Sequence, residues 1–95
     1  MQHLLKDSDL SKAQIEALIA LGKAVKADPK KYGQALAGKS VVTLFEKPSL
    51  RTRVTFDIGI ARLGGHSVYL DQQNGALGKR ESVKDFAANL SRWCD

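Results

Sequence analysis

The sequence predicts an α/β fold: a helix, then a strand–helix–strand unit with parallel strands, then a further helix. Two apolar runs, Ser40 to Phe45 and His66 to Leu70, have the length and residue types of strands and enclose a helical pattern. Together they span about 30 residues, the length of a βαβ unit, whose crossover is nearly always right-handed. This alternation of strands and helices is typical of α/β proteins with a parallel sheet.

Composition and charge argue against several classes of protein. The chain has 95 residues, enough for one small domain, with 43% apolar and 26% charged content, which is ordinary for a globular protein. No apolar run approaches the roughly 20 residues of a membrane span, and the amino terminus lacks the apolar core of a signal peptide. The single cysteine, Cys94, cannot form an internal disulfide, so we expect a cytoplasmic protein without membrane attachment. The formal charge of +5 is spread over separate segments without interleaved aromatic residues, which argues against nucleic-acid binding.

The first helix is predicted from about Lys12 to Ala27. Ser11 can serve as its N-cap, with Gln14 three residues later as the partner in a capping box. Apolar residues recur at helical spacing: Ile15, Leu18, Ile19, Leu21 and Val25. Asp28-Pro29 then ends the pattern. We expect an amphipathic helix with one buried stripe and one face in water.

The strand from Ser40 to Phe45 is apolar and β-branched without clean alternation, as expected of a strand covered on both faces. The next helix is predicted to begin near Leu50 or Arg51 and to end at Gly64-Gly65, a strong stop signal. Its apolar residues cover more than one face: Val54, Phe56, Ile58, Ile60, Ala61 and Leu63. We therefore expect this helix to be buried between the sheet and another layer.

After the second strand, Asp71 to Lys79 is polar and contains two glycines, which predicts a loop. Ser82 can cap a last helix, with Asp85 in its first turn. Its apolar face consists of Val83, Phe86, Ala87, Leu90 and Trp93. Because two parallel strands are not a plausible independent core, we expect the chain to be the N-terminal part of a larger α/β protein.

The segment from Ser49 to Arg53 is the main candidate site. It lies at the carboxyl end of the first predicted strand, where open α/β sheets bind ligands, and it begins a helix. A helix N-terminus, hydroxyl groups and a forked guanidinium together favour a phosphate. The alternative is that Ser49 is a simple N-cap and the arginines are surface charges. Arg51 and Arg53 differ in direction by about 200°, so only one can face the anion, and the other is expected to pair with a carboxylate or a neighbouring element.

A second cationic segment, Gly78 to Ser82, can either close over an anionic ligand or form a solvated loop before a capped helix. The two histidines, His3 and His66, are isolated from metal-ligand partners, and no G-x-G-x-x-G is present. The residues therefore predict no metal and no cofactor.

Three segments carry a resemblance to a known family: Phe45–Arg53 (FEKPSLRTR), Gly64–His66 (GGH) and Leu77–Ser82 (LGKRES). Over essentially the whole chain, the sequence resembles the aspartate/ornithine carbamoyltransferase family, and within it the bacterial ornithine carbamoyltransferases. The resemblance implies that residues 1–95 form part of a carbamoyl phosphate-binding domain, with the ornithine-binding domain absent from this chain. It also implies a homotrimer in which the loop before the last helix reaches into a neighbouring subunit's site.

The activity implied is transfer of the carbamoyl group of carbamoyl phosphate to the side-chain amine of L-ornithine, giving L-citrulline and phosphate in arginine metabolism. The phosphate would be held by Ser49, Leu50 through its backbone, Arg51 and Thr52. Arg51 would also be catalytic by stabilising charge on the departing phosphate, without metal or cofactor. The fragment alone is expected to be inactive, because the other binding residues lie beyond it.

Two departures from the family pattern keep alternatives open. Leu50 stands where most members have Thr, and Ala76 stands where a ligand-contacting Gln or Ser is usual, which leaves Arg80 as the expected inter-subunit loop contact. Leucine at this motif position also occurs in relatives that act on acylated ornithine. The alternatives are a carbamoyltransferase for an acylated ornithine or another amine, a non-catalytic anion-binding module, and a basic nucleic-acid-binding or interaction domain.

Overall fold

A computed structural model describes residues 3–47, 49–71 and 82–95 of the chain. Its elements are α1 (Lys12–Ala27), β1 (Ser40–Leu44), α2 (Leu50–Arg62), β2 (His66–Leu70) and α3 (Val83–Trp93). This order confirms the predicted α/β fold class. The chain divides into two compact units, Met1–Tyr32 and Gly33–Asp95.

The first unit consists of α1 and two short 3₁₀ turns, Asp7–Asp9 and Pro29–Tyr32. The predicted capping box is present: Gln14 N donates to Ser11 Oγ at 3.1 Å, and Ser11 N donates to Gln14 Oε1 at 2.8 Å. These two bonds fix the start of α1 at Lys12, the predicted residue.

The predicted buried stripe of α1 is wrong for this chain. No residue of α1 is buried, and Leu18 in the middle of the stripe is 52% exposed. The remaining structured segments of this unit are two 3₁₀ turns of 3 and 4 residues, which are too short to cover a helix of 16 residues. The amphipathic pattern therefore predicted the helix correctly, but the expected burial of its apolar stripe is not found.

The second unit is built on a two-stranded parallel sheet. The register places Ser40 beside His66 and Leu44 beside Leu70. The ladder continues at its end, where Phe45 N donates to Leu70 O at 2.9 Å. Within the described residues β1 is half-buried, with only Thr43 fully buried, so the expectation of a strand covered on both faces is wrong here.

Helix α2 crosses from β1 to β2 and contacts β2 more than β1. Ile60 in its last turns is buried, with 6% of its surface exposed, whereas Phe56 is 51% exposed. The expected burial of α2 between two layers is therefore wrong. In the described part of the chain, α2 has the sheet on one face and no second layer on the other.

The predicted Gly64-Gly65 stop ends α2. Gly64 has φ +87°, a left-handed conformation that favours glycine, and Gly65 N donates to Ile60 O at 2.9 Å. A Cβ on Gly64 would lie 2.7 Å from the carbonyl oxygen of Gly33, so a side chain there is also excluded by contact. Strand β2 begins directly after this turn.

Helix α3 begins with the predicted cap, in which Asp85 N donates to Ser82 Oγ at 3.1 Å. Just after α3, Asp95 N donates to Ser40 O at 2.9 Å, and Ser40 N donates to Asp95 Oδ2 at 3.0 Å. The same carboxylate lies 3.7 Å from Lys39 Nζ. Asp95 thus pairs with the edge of β1 that faces away from β2.

Two further predictions concern the remaining parts of the chain. The loop predicted from Asp71 to Lys79, apart from Asp71, lies outside the described residues, as does the cationic segment with Arg80, apart from Ser82. No helix in the ranges that the structure describes is both long enough and apolar enough to cross a membrane.

Candidate anion-binding site

The candidate site lies where β1 leads into α2. Ser49 occupies the N-cap position of α2 with an extended backbone (φ −148°), and its carbonyl accepts from Arg53 N at 3.1 Å. The first-turn residues Leu50, Arg51 and Thr52 therefore have backbone N–H groups without intrahelical acceptors. These N–H groups lie at the positive end of the helix dipole, which suits them to an anion.

The three helices in the described part of the chain differ in the bonds that their N-cap serines make. Ser11 and Ser82 each accept a hydrogen bond from the backbone three residues later. Ser49 makes no such side-chain bond. Ser49 is therefore the N-cap residue that the alternative expected, but its side chain does not cap the helix, so its hydroxyl and the first-turn N–H groups remain available to a ligand.

The side chains that follow Ser49 face water. Leu50 is 75% exposed, and Arg51 and Thr52 are exposed as well, whereas Ser49 is half-buried. No carboxylate among the described residues pairs with Arg51. Its guanidinium group can therefore reach an anion at the helix end without first breaking an ion pair.

Arg53 has different surroundings. Its Nε lies 3.6 Å from Asp57 Oδ2, and its guanidinium carbon lies 3.7 Å from the centre of the Tyr69 ring. Asp57 Oδ1 in turn accepts a hydrogen bond of 2.6 Å from Ser67 Oγ. This confirms the prediction that one of the two arginines pairs with a carboxylate or a neighbouring element, and Arg53 does both. We call Arg53, Asp57, Ser67 and Tyr69 the arginine clamp.

Sequence reasoning predicted a partner for one arginine but did not identify Asp57, Ser67 or Tyr69. Two signals were present: Arg53 and Asp57 are four residues apart in a helix, and Ser67 and Tyr69 alternate on one face of a strand. Neither signal indicates that the two helix residues contact the two strand residues. That contact depends on how α2 packs on β2.

The groove beside the clamp is a less suitable anion site. It has a volume of about 760 Å³ and includes Arg53, Asp57, His66, Ser67, Tyr69 and Asp71 in its lining. Among the described residues that line it, the one arginine is already paired, and the carboxylates of Asp57 and Asp71 repel an anion. The described residues also contain no cluster of three His, Cys, Asp or Glu side chains that could hold a metal ion.

The structure thus brings together the four residues predicted to hold a phosphate, Ser49 to Thr52, in one helical turn. Arg80 and Ala76, on which the predicted loop contact depends, lie outside the described residues. The described half of the site offers first-turn N–H groups, two hydroxyls and one unpaired guanidinium group. Such donors bind a phosphate group and stabilise negative charge that develops on it.

Two curated relatives of this chain are ornithine carbamoyltransferases. An ornithine carbamoyltransferase of Vibrio sp. (strain 2693) is 73% identical over 95 residues, which are 100% of this chain and 32% of that relative. The ornithine carbamoyltransferase of Shewanella oneidensis is 65% identical over the same length and share. The chain therefore spans about a third of the length of the curated relatives it matches.

Solved structures show the same fold. The ornithine carbamoyltransferase from Pyrococcus furiosus matches with a TM-score of 0.91 and 36% identity, covering 99% of this chain and 31% of that one. A variant of N-acetyl-L-ornithine transcarbamylase complexed with PALAO matches with a TM-score of 0.87 and 34% identity, covering 100% of this chain and 32% of that one. The family model of the aspartate/ornithine carbamoyltransferase carbamoyl-P binding domain matches residues 2–95. The chain belongs to the aspartate/ornithine carbamoyltransferase family.

Proposed function

We propose that this chain is the carbamoyl phosphate-binding part of an ornithine carbamoyltransferase, with Ser49 to Thr52 as its phosphate site. The observation that carries the proposal is the N-terminus of α2, where Ser49 leaves its hydroxyl uncommitted and Arg51 has no carboxylate partner among the described residues. The 73% identity to a relative of that name supports ornithine as the acceptor.

In the proposed reaction, the lone pair of the neutral side-chain amine of L-ornithine forms a C–N bond with the carbonyl carbon of carbamoyl phosphate. The C–O bond to phosphate breaks, the amine loses a proton, and L-citrulline and phosphate result. Arg51 and the N–H groups of the first turn of α2 stabilise the charge that accumulates on the departing phosphate. The hydroxyls of Ser49 and Thr52 orient the phosphate, and Leu50 contributes only its backbone N–H.

We make three further proposals about the full-length protein: its domains, its assembly and its activity. Residues 1–95 are part of the carbamoyl phosphate domain, and the ornithine-binding domain belongs to the remaining two thirds of a relative's length. The full-length protein acts in arginine metabolism as a cytoplasmic homotrimer, and Arg80 contacts the site of a neighbouring subunit. The 95 residues alone lack the acceptor site and are inactive.

A carbamoyltransferase for an acylated ornithine is the second candidate, because N-acetyl-L-ornithine transcarbamylase has the same fold over the whole chain. Its identity of 34% is less than half of the 73% found with an ornithine carbamoyltransferase. An acceptor screen on the full-length protein separates the two. Citrulline formation from ornithine with no product from N-acetylornithine supports the proposal, and the reverse result favours the second candidate.

The role of Arg51 is tested by Arg51→Ala in a full-length protein that contains these residues. Loss of a donor that acts on the departing phosphate lowers kcat by about 10²- to 10³-fold. Arg62→Ala is the matched control, since Arg62 is an exposed arginine in the last turn of the same helix. Unchanged kcat in Arg51→Ala, measured by citrulline formation, would contradict the assignment.

The isolated 95-residue chain provides a second test. We expect isothermal titration with carbamoyl phosphate to show weak binding or none, because this chain offers only part of the site. Tight binding accompanied by turnover with ornithine would show that the chain is a complete enzyme and would refute the partial-site proposal.

A further inference from the structure

We propose that Asp57, Ser67 and Tyr69 are positioning residues for the phosphate site, acting through Arg53. They hold the Arg53 guanidinium group on the face of β2 and thereby fix the first turns of α2 and leave Arg51 as the arginine that faces the ligand. The inference rests on the proposed function for the identity of the ligand, carbamoyl phosphate.

The clamp joins the two elements that define the site. Ser67 and Tyr69 lie two residues apart on one face of β2, and each is paired in register with β1, Ser67 with Val41 and Tyr69 with Thr43. From that face, Ser67 donates to Asp57, and the Tyr69 ring supports the Arg53 guanidinium group. Tyr69 is itself held by Phe45, whose ring meets it edge to face at 5.6 Å. A continuous set of contacts therefore runs from the end of β1 through β2 to Arg53.

The first turns of α2 are not held in place by buried side chains. The one buried residue of the helix among those described is Ile60, near its C-terminal end, while Val54 and Phe56 are 42% and 51% exposed. Arg53 lies directly after the proposed ligand residues, and its backbone N–H bonds to Ser49 O. We therefore assign to the clamp the fixing of the end of α2 where the ligand binds.

Release of the clamp changes the site in two ways. The first turns of α2 lose their attachment to β2, so the donors of Ser49 and Thr52 are no longer held in fixed positions. The freed Arg53 guanidinium group, one residue beyond Thr52, also becomes a mobile cation that competes with Arg51 for the same anion. Both changes weaken productive binding of carbamoyl phosphate, and the second acts entirely through Arg53.

The first arm of the test uses Asp57→Asn, Ser67→Ala and Tyr69→Leu in the full-length protein. We expect kcat/KM for carbamoyl phosphate to fall by about 10- to 100-fold in Asp57→Asn, with smaller losses in the other two. The matched control is Glu16→Gln, which removes another ion pair of i,i+4 spacing, Lys12 with Glu16 at 4.0 Å, far along the chain in α1. Melting temperatures of Asp57→Asn and the control should agree within a few degrees.

The second arm separates positioning from a general structural role. If Asp57 acts through Arg53, adding Asp57→Asn to Arg53→Gln should cause no further loss in kcat/KM. Asp57→Glu, whose longer carboxylate still reaches Arg53, should recover most of the activity that Asp57→Asn loses. Losses that multiply in the double variant, or kcat/KM within twofold of wild type in all three single variants, would overturn the inference.

The outcome also distinguishes this inference from the proposed function. If wild type fails to use carbamoyl phosphate, the proposed function is refuted, and the clamp is then tested by titrating inorganic phosphate into wild type and Asp57→Asn. Weaker phosphate binding in the variant supports positioning, and equal affinity overturns it. If Arg51→Ala loses activity while Asp57→Asn does not, the function stands and the clamp inference falls.

Discussion

Two arginines separated by one residue have opposite surroundings in this chain. Arg53 is paired with Asp57 and stacked on Tyr69, whereas Arg51 is exposed and has no carboxylate partner among the described residues. Helical geometry alone predicts that they point in different directions, but it cannot say which one is paired. That choice depends on which arginine has a carboxylate one turn later and an aromatic ring on the adjacent strand.

The side chain of Thr43 carries a buried hydroxyl. It is buried in β1, with 8% of its surface exposed, and its hydroxyl has no hydrogen-bond partner among the described residues. A buried hydroxyl without a partner costs about 1–3 kcal/mol. We expect Thr43→Val, which keeps the shape and removes the hydroxyl, to raise the free energy of unfolding by about 1 kcal/mol.

Urea unfolding of the 95-residue chain, followed by circular dichroism, measures this change. Thr55→Val is the control, because Thr55 is exposed on α2 and the same substitution there should change stability by less than about 0.5 kcal/mol. A lower urea midpoint for Thr43→Val would show that the hydroxyl has a partner and contradict the prediction.

At the scale of elements, α2 is held differently at its two ends. Its C-terminal end is fixed by the buried Ile60 and the Gly64-Gly65 turn, and its N-terminal end by the arginine clamp. The sequence predicted the first of these because a glycine stop is a local signal. It did not predict the second, since the clamp joins a helix to a strand whose register is set by tertiary pairing.

Gly64 tests the C-terminal end. Gly64→Ala should destabilise the fold by more than Gly38→Ala, because both glycines have positive φ but only Gly64 has a backbone atom within 3 Å of the added Cβ. The left-handed conformation costs about 1–2 kcal/mol in each variant, and the contact with Gly33 O adds to it for Gly64 alone. Equal urea midpoints for the two variants would contradict this account.

The bounds of the elements were more predictable than their burial. The starts of α1 and α3 follow from Ser11 and Ser82, which cap their helices as expected. The burial of α1 and α2 was overestimated, because an apolar stripe indicates that a surface suits a partner but does not say whether this chain supplies one. The four predicted phosphate residues meet in one turn because they are contiguous, so their proximity required no tertiary information.

At the scale of the whole molecule, each of the three described helices exposes large apolar side chains. Leu18, Phe56 and Trp93 are 52%, 51% and 74% exposed. This exposure supports the proposal that further protein covers these faces in the full-length enzyme.

We therefore expect the isolated chain to be marginally stable. Native-state hydrogen exchange should find the strongest protection in β1, β2 and the C-terminal half of α2, where Thr43 and Ile60 are buried, and rapid exchange in α1. Protection in α1 equal to that in the strands would mean that its apolar stripe is covered in solution, and would contradict the prediction.

The uncapped serine of α2 has an energetic consequence. An N-cap side-chain bond contributes about 1 kcal/mol to a helix, and the chain makes this bond at Ser11 and Ser82 but not at Ser49. The first turn of α2 is therefore less stable than a side-chain cap would make it until an anion takes the place of the missing bond. By linkage, an anion that binds only the ordered helix end stabilises the fold as its concentration rises. Ordering of the first turn of α2 and binding of the anion are then coupled. The fraction of chains in which this turn is ordered should therefore rise with the fraction of sites that are occupied.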